Sequence, residues 1–388
     1  MIISHLKLKN WRNFREVDVP LRERQFIVGP NASGKSNLLD AFRFLRDIAK
    51  RKGGGLQAAI ENRGGISKLR CLNARQDSEM AFEVSIADSA DDEKPKWRYA
   101  ISIKQEPRGL RQPYLKYERV WDGRGKRILN RPNAADKEDS ARLKQTFLEQ
   151  VNSNAKFRGV ANYLAKTTYL HLVPQLLRYA DDLQGRLLED DPFGQGFLTR
   201  VAKTSDKTRQ RRLTRIERAI KNAVPKLQEM QFERDEATGR PHIKAQYSHW
   251  RPNAGWQRED QFSDGTLRLI ALLWAMIDDD SLLLLEEPEL SLHEEIVRHL
   301  ASSIYRIQRQ LKRKRQVLIS THSSALLSDK GIDGRNVLLL IPGEEGTEVK
   351  TATDLTDVKP LLTSGLAVGE VVIPRTAPGE SGQLLLSF

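Results

Sequence analysis

FIVGPNASGKSNLLDAF, Phe26 to Phe42, sets two glycines, a lysine and a serine between an apolar run and a stretch with helical apolar spacing. Gly29, Gly34, Lys35 and Ser36 fit G-x-x-x-x-G-K-[ST]. Glycines let a backbone wrap tightly, so that successive N–H groups point inward at phosphate oxygens. Lys35 would reach the β- and γ-phosphates, and Ser36 would offer its hydroxyl to Mg²⁺. The spacing predicts a short buried strand over 25–28 and a helix over about Lys35 to Lys50, whose positive N-terminal end faces the anion. This context separates a phosphate cradle from a chance match.

Three further motifs follow. SLLLLEEPELSLH (281–293) reads as a buried parallel strand ending in two carboxylates. Glu286 would support Mg²⁺, and Glu287 would orient and deprotonate the attacking water. RQVLISTHSSALL (315–327) is a second apolar strand, followed at once by Thr321 and His322, and a His there can touch a γ-phosphate or the water. DQFSDGTLRLIALLWAM (260–276) opens a helix with a Ser-x-Gly turn. Ser263 at the cap and the N–H groups of Asp264, Gly265 and Thr266 make a second anion site. One cradle plus a second phosphate-binding helix start suggests a ligand shared by two copies, head to tail. Taken singly, the acid pair reads equally as a strand ending in solvated acids, while a structural His and an ordinary capped helix are the commoner readings of the other two.

Together these pieces resemble the ABC-type ATPase heads of the SMC, RecF and OLD-type branch, including stand-alone prokaryotic AAA-type proteins. GPNASGKSN resembles their Walker A, FSDGTLR stands where the signature stands, LLLLEEPE resembles Walker B, LSLH the D-loop and ISTHS the switch histidine. The resemblance covers residues 1 to about 90 and about 255 to 345, in family order. It makes Gly29, Pro30, Asn31, Ala32, Ser33, Gly34, Lys35, Ser36 and Asn37 the nucleotide-binding loop, with ATP and Mg²⁺ as cofactors. Ser263, Asp264 and Gly265 then close the site from the opposite subunit of an ATP-dependent homodimer, with higher assembly left open. Asp264 stands where transporters have Gly, Glu286 where many families have Asp, and Ala32 where Gly is frequent. A longer carboxylate at 286 leaves the hydrolysis rate open. For the glutamine loop, Gln57 and Gln76 are the candidates.

The implied fold class is an α/β ABC-ATPase head. It has a mixed, mainly parallel sheet carrying the P-loop, an antiparallel β subdomain and an inserted helical lid. The expected division is 1–130 (Walker A and the antiparallel subdomain), 131–256 (lid with a β-hairpin), 257–350 (signature, Walker B, switch histidine) and 351–388 (irregular tail). Strands are predicted near 2–9, 15–20, 80–87, 97–105 and 114–121, with DGRG (122–125) as a hairpin turn. Within the lid, KEDSARLKQTFLEQVNS and TRVAKTSDKTRQRRLTRIERAIKNAV read as helices. LQEMQFERDEATGRPHIKAQYSHW reads as a hairpin. The insertion is too short for a long coiled coil.

The 388-residue chain has a formal charge of +13 and a single cysteine, Cys71, which excludes a disulfide framework within the chain. No run approaches 18 uncharged apolar residues, so no membrane is expected, and the charged N-terminal stretch does not read as a signal peptide. A cytoplasmic location is expected. Between Arg200 and Lys221 nine Lys or Arg residues face two acids, Asp206 and Glu217. This basic lid could hold nucleic-acid phosphates, or be a solvated face or a contact for an acidic protein. RIQRQLKRKR (306–315) reads as a solvated helix end. Neither cluster carries interleaved aromatics. No nuclease-like acidic cluster follows the ATPase motifs, so an effector is expected on another polypeptide. Two other readings stand beside a hydrolysing ATPase in genome maintenance or anti-phage defence. One is a slow nucleotide switch that sequesters a toxic effector, and the other is a transporter ATPase.

Overall fold

A computed structural model of the chain describes residues 1–74, 79–107, 111–179, 191–251, 255–279, 281–310 and 315–376. The chain divides into two compact units. The first holds Met1–Thr167, Gln316–Ser324 and the chain from Ile332 on, and the second holds Thr168–Arg315 and Ala325–Gly331.

The first unit contains two sheets. β1 (Ile2–Trp11), β2 (Phe14–Pro20), β4 (Met80–Ala87), β5 (Trp97–Gln105), β6 (Pro113–Asp122) and β7 (Arg127–Arg131) pair antiparallel in the order β2-β1-β4-β5-β6-β7. Their period-two burial, as in β4 with Met80, Phe82, Val84 and Ile86 inside, is what the alternation of the sequence dictates. β3 (Arg24–Val28) is buried throughout and lies between two parallel neighbours, β13 (Val317–Thr321) and β14 (Val337–Gly343). β15 (Gly346–Thr351) closes that sheet antiparallel to β14. α1 (Lys35–Ala49) follows β3 and buries Leu38, Phe42, Phe44, Leu45 and Ile48. Trp11, Phe44 and Phe82 meet with ring centroids 5.0–5.2 Å apart, so one aromatic cluster seats α1 on the antiparallel sheet. α2 (Leu56–Glu61) and α3 (Ile66–Leu69) complete this side.

The first expected lid helix does not form as one piece. α4 (Ala134–Glu138) stops after five residues, a 3-10 turn covers Ser140–Lys144, and the chain to Gln150 is irregular. The reason is a buried polar network. Arg131 pairs with Glu118 and Asp136, all with fully buried side chains, and donates to the carbonyls of Arg142 and Gln145 at 2.8 Å each. Glu118 accepts the N–H groups of Phe147 and Leu148, and Glu149 accepts those of Thr146 and Leu56. Backbone groups that a helix would satisfy internally are satisfied here by tertiary partners. α5 (Arg158–Ala165) then packs on α1.

In the second unit, β8 (Thr168–Leu170) pairs parallel with β12 (Leu283–Glu286). α6 (Pro174–Arg178) follows β8. The basic stretch forms two helices, α7 (Phe197–Lys203) and α8 (Asp206–Ile220), rather than one. The break falls at Thr204, whose hydroxyl donates to Arg200 O at 3.0 Å, and Arg209 donates to the carbonyls of Ala202 and Thr204. These side chains take up carbonyls at the helix end. The hairpin forms as β9 (Leu227–Arg234) and β10 (Pro241–Tyr247), with β11 (Trp256–Arg258) added at the edge. α9 (Asp264–Asp278) and α10 (Glu294–Gln310) flank β12 in sequence. The chain past Lys350 forms short helices, α11 (Val358–Thr363) and α12 (Val368–Val372), and LLLSF lies outside the described residues. Among the described residues no helix is long and apolar enough to cross a membrane.

Candidate functional site

The phosphate loop occupies the bend between β3 and α1. At Gly29 a side chain has no room, since a Cβ would lie 2.9 Å from Leu340 Cβ and 3.0 Å from its carbonyl oxygen. Ala32 takes φ 62° and Gly34 φ 99°, left-handed positions of the kind that a loop wrapping an anion with its N–H groups uses. Pro30 is half-buried, and Asn31, Ala32 and Ser36 face solvent at the rim. Ser33 Oγ is buried with no hydrogen-bond partner among the described residues. Lys35 is 7% exposed, and its ammonium donates to the carbonyls of Gly29 and Pro30 at 2.9 Å each. A cation curled over a glycine cradle, an adjacent serine hydroxyl and the start of a 15-residue helix form the donor set that a magnesium nucleotide requires.

The loop is braced by a residue for which the motif gives no hint. Asn13, in the turn between β1 and β2, donates to Ser33 O at 2.7 Å and Thr347 Oγ1 at 2.8 Å, and accepts from Asn37 at 2.8 Å. A Cβ on Gly34 would lie 2.2 Å from its amide nitrogen. Trp11 donates to Asn37 O at 2.8 Å. Behind the loop Asp40 pairs with Arg12 and Arg63. Burial pushes the Asp40 carboxyl up, but the charge and hydrogen bonds of Arg63, with Arg12 and Arg43, outweigh it and hold the group below its ordinary range.

His322 belongs to the same unit. β13 runs parallel to β3 with Thr321 opposite Val28, so His322 leaves the sheet beside Gly29. It is half-buried, and Thr321 Oγ1 accepts from Ser323 N at 2.9 Å, which shapes the turn after it.

The second unit gathers the acid pair and the signature. Glu286 ends β12, and the Tyr169 hydroxyl donates to its Oε2. Glu287 takes φ 45°, and its carbonyl accepts from Arg268 at 2.9 Å and Leu290 N at 3.2 Å. Arg268, in the signature helix, is 3% exposed, and burial pushes its guanidinium pKa down against the pull of Glu289 and Glu287. Ser263 caps α9, its Oγ accepting from Thr266 N at 3.2 Å. Gly265 is pressed against the D-loop, where a Cβ would lie 2.7 Å from Ser291 O. Asp264 is clamped by α6, Arg178 donating at 2.7 Å and Gln175 at 3.1 Å, while Arg178 also reaches Phe262 O at 2.6 Å. A cleft of about 370 Å³ runs past Ser263, Gly265, Ser291, His293 and Val224.

Of the remaining candidates, Gln57 is a brace, donating to the carbonyls of Pro113 and Lys144, and Gln76 lies outside the described residues. On α8, Arg209, Arg212 and Arg215 are tied to Asp206, Asp278 and Gln310, while Lys207, Arg211 and Arg218 face solvent. Arg315 is a buried strut that donates to Ser281 O and Ala275 O, not part of a surface cluster. Arg268 lies inside a motif legible in sequence, and Asn13 lies between the two strands expected near 2–9 and 15–20. Tyr169 and Arg178 give no local signal.

Residues 26–328 match the family described as "AAA domain, putative AbiEii toxin, Type IV TA system", and residues 3–46 match the P-loop containing region of AAA domain. The DNA replication and repair protein RecF of Clavibacter michiganensis subsp. michiganensis is 34% identical over 91 residues, 23% of this chain and 22% of that protein. Endonuclease GajA of Bacillus cereus is 44% identical over 54 residues, 14% of this chain and 9% of that protein. The chain thus spans about a fifth or less of the length of these two relatives. Among solved structures, an SMC head bound to the C-winged helix domain of ScpA superposes with a TM-score of 0.54, over 90% of this chain and 98% of that one, at 16% identity. That likeness establishes an SMC-head-like mixed α/β fold.

Proposed function

The chain belongs to the AAA-domain, AbiEii-type P-loop ATPases, with the ABC-type head of the SMC and RecF branch, and from that premise we propose that it hydrolyses ATP between two copies of itself and so controls a partner effector or nucleic acid. Lys35 carries this reading most directly. Its ammonium rests on two carbonyls of its own loop and has only to turn to meet a phosphate. The loop from Gly29 to Asn37 holds the nucleotide by N–H groups and the end of α1. Ser36 and Glu286 hold Mg²⁺, which when bound neutralises phosphate charge. Glu287 orients a water and takes its proton at a carboxylate oxygen. His322 senses the γ-phosphate. Ser263, Asp264 and Gly265 of a second copy complete the anion contacts. By kinship with RecF, GajA and AbiEii-type proteins, the setting is DNA repair or anti-phage defence.

A slow nucleotide switch that holds an effector in check is the second reading. The Tyr169–Glu286 hydrogen bond favours it, since the phenol competes with a metal for lone pairs of that carboxylate.

Wild type and Glu287→Gln, measured together for ATP turnover and for mass in solution with ATP·Mg²⁺, test both. Turnover by wild type alone, with the mutant collecting as an ATP-dependent dimer, is expected. Mass that ignores ATP in both would overturn the sandwich. Nucleotide binding with turnover below about once per minute would select the switch.

A further inference from the structure

The basic lid lacks interleaved aromatics along its helix, but the fold brings one to the helix's end. Trp250 is 79% exposed, the most exposed aromatic side chain among the described residues. It sits in YSHWR (247–251), beyond β10. Ser248 N donates to Lys226 O at 2.7 Å, and Tyr247 pairs with Leu227, which sets this loop against the segment leaving α8. Arg251 lies over the Trp250 ring, with Cζ 4.5 Å from its centroid, and His249 stacks beside it at 5.6 Å. Arg218, in the last turn of α8, and Lys221 and Lys226 after it face solvent, and none of them makes an ion pair among the described residues. Glu229, farther along β9, accepts a hydrogen bond from Gln231.

We propose that this surface is a stacking platform for single-stranded nucleic acid, with Trp250 under a base and Arg218, Lys221, Lys226 and Arg251 along the phosphates. Three features favour this partner over a protein. No other large apolar side chain is exposed among the described residues from 206 to 251, so there is no apolar rim for protein docking. Arg251 lies at the ring, and Lys226 lies on the segment bonded to the loop, so cations accompany the aromatic as alternating phosphates and bases require. Tyr247 N donates to Gly255 O at 2.9 Å and Ser248 N to Lys226 O at 2.7 Å, so the backbone just before Trp250 is anchored. Duplex DNA keeps its bases stacked and would use only the cations.

The placement also implies a consequence for turnover. Ala223 and Val224, between Lys221 and Lys226, line the same cleft as Ser263, Asp264 and Gly265. A strand on the platform therefore lies next to the signature loop. That link rests on the proposed ATPase function, whereas the binding does not.

Fluorescence anisotropy of the full chain with labelled oligo(dT), oligo(U) and a dT·dA duplex, without nucleotide, tests the platform. Wild type is expected to bind the single strands, and the tighter of the two names the sugar. Trp250→Ala should weaken that binding by about five- to hundredfold, the size of one lost base–aromatic stack, while Trp250→Phe keeps most of it and duplex affinity stays put. Lys221→Glu with Lys226→Glu should weaken all three and flatten the salt dependence. Lys35→Ala should bind like wild type, so a failed ATPase leaves this result standing. Absence of single-strand binding, or equal binding by Trp250→Ala, overturns the proposal. So does loss of an acidic protein partner in Trp250→Ala with oligonucleotide binding untouched.

Discussion

Arg178→Ala is the perturbation that most sharply probes the signature loop. Asp264 puts a carboxylate in the first turn of α9, where the proposed function needs an anion to bind. Arg178 answers it at 2.7 Å and is 13% exposed, against 38% for Asp264. Removing the guanidinium leaves that carboxylate facing an incoming phosphate. At a separation of about 5 Å and an effective dielectric of about 40, the repulsion is ~1.7 kcal/mol, or more than tenfold in affinity. A structural part adds to this, because Arg178 also bonds Phe262 O and fixes the loop. Asp264→Asn separates the two, since it removes the charge and keeps the side chain's shape. In the Glu287→Gln background, sedimentation with ATP·Mg²⁺ should show dimerisation weakened about tenfold by Arg178→Ala and largely recovered by Arg178→Ala with Asp264→Asn. Melting temperatures of all variants guard against unfolding. Equal losses in the single and double variants would refute the charge argument and leave Arg178 as a brace, and no loss in either would refute both.

Asn13→Ala removes the amide that ties Ser33, Asn37 and Thr347, and should weaken ATP binding about tenfold at a cost of ~1–2 kcal/mol in stability, read by isothermal titration and denaturant melts. Trp11→Ala empties the cluster with Phe44 and Phe82 and frees Asn37 O, so it should cost about 3–5 kcal/mol in urea unfolding. Asp40 has a folded pKa held below its ordinary 3.8, so its contribution is present above that value and lost as pH falls through the lower folded value. Acid unfolding of wild type should steepen below about pH 4. Asp40→Asn should flatten that limb and be less stable at pH 7 by about 2 kcal/mol, since it leaves Arg63 with Asp47 as its one remaining carboxylate.

The elements that sequence made legible are those whose signal is local. β3, α1, β12 and the start of α9 follow from unbroken apolar runs, helical spacing and a capping serine, all within a few residues. The hairpin β9–β10 and the turn after β6 follow from their glycines. The stretch after Arg131 was not legible, because what shapes it is Glu118, a strand residue whose carboxylate takes the N–H groups of Phe147 and Leu148. Its pKa is raised by burial against those bonds and Arg131, a state that no local pattern encodes. The single basic helix became two for a similar reason, since Thr204 and Arg209 act on carbonyls that spacing alone cannot assign. At the candidate site, sequence names the motif residues proposed to act but not the side chains that contact them. Tyr169 reaches Glu286, and Arg178 reaches Asp264, across stretches of chain with no periodic relation.

Backbone strain shows why those supports matter. Among the described residues seven non-glycines take positive φ: Asn10, Arg12, Ala32, Arg111, Asp191, Glu287 and Ser291. Ala32 falls in the phosphate loop, Glu287 and Ser291 in the stretches that resemble Walker B and the D-loop, while Asn10 lies near the end of β1 and Arg12 beside Asn13 in the turn after it. Each such residue costs of order 1 kcal/mol or more, so it persists only where neighbours over-determine it. The neighbours can be named. Asn13 grips Ser33 O, one residue past Ala32, while Arg268 grips the carbonyl of Glu287 itself. Gly265 abuts Ser291 O, where even a methyl group would not fit. Arg268 shares the Glu287 carbonyl with Leu290 N, and Asn13 is the side chain that reaches Ser33 O from outside the phosphate loop. Loss of either side chain removes a tertiary restraint on a strained turn and leaves its local backbone bonds. Substitutions at Asn13 and Arg268 should accordingly change nucleotide response more than global stability, whereas Phe82, which packs in the aromatic cluster on β4, should do the reverse. If Arg268→Met lowers turnover and melting temperature in the same proportion as Phe82→Ala, strain at Glu287 has no functional part.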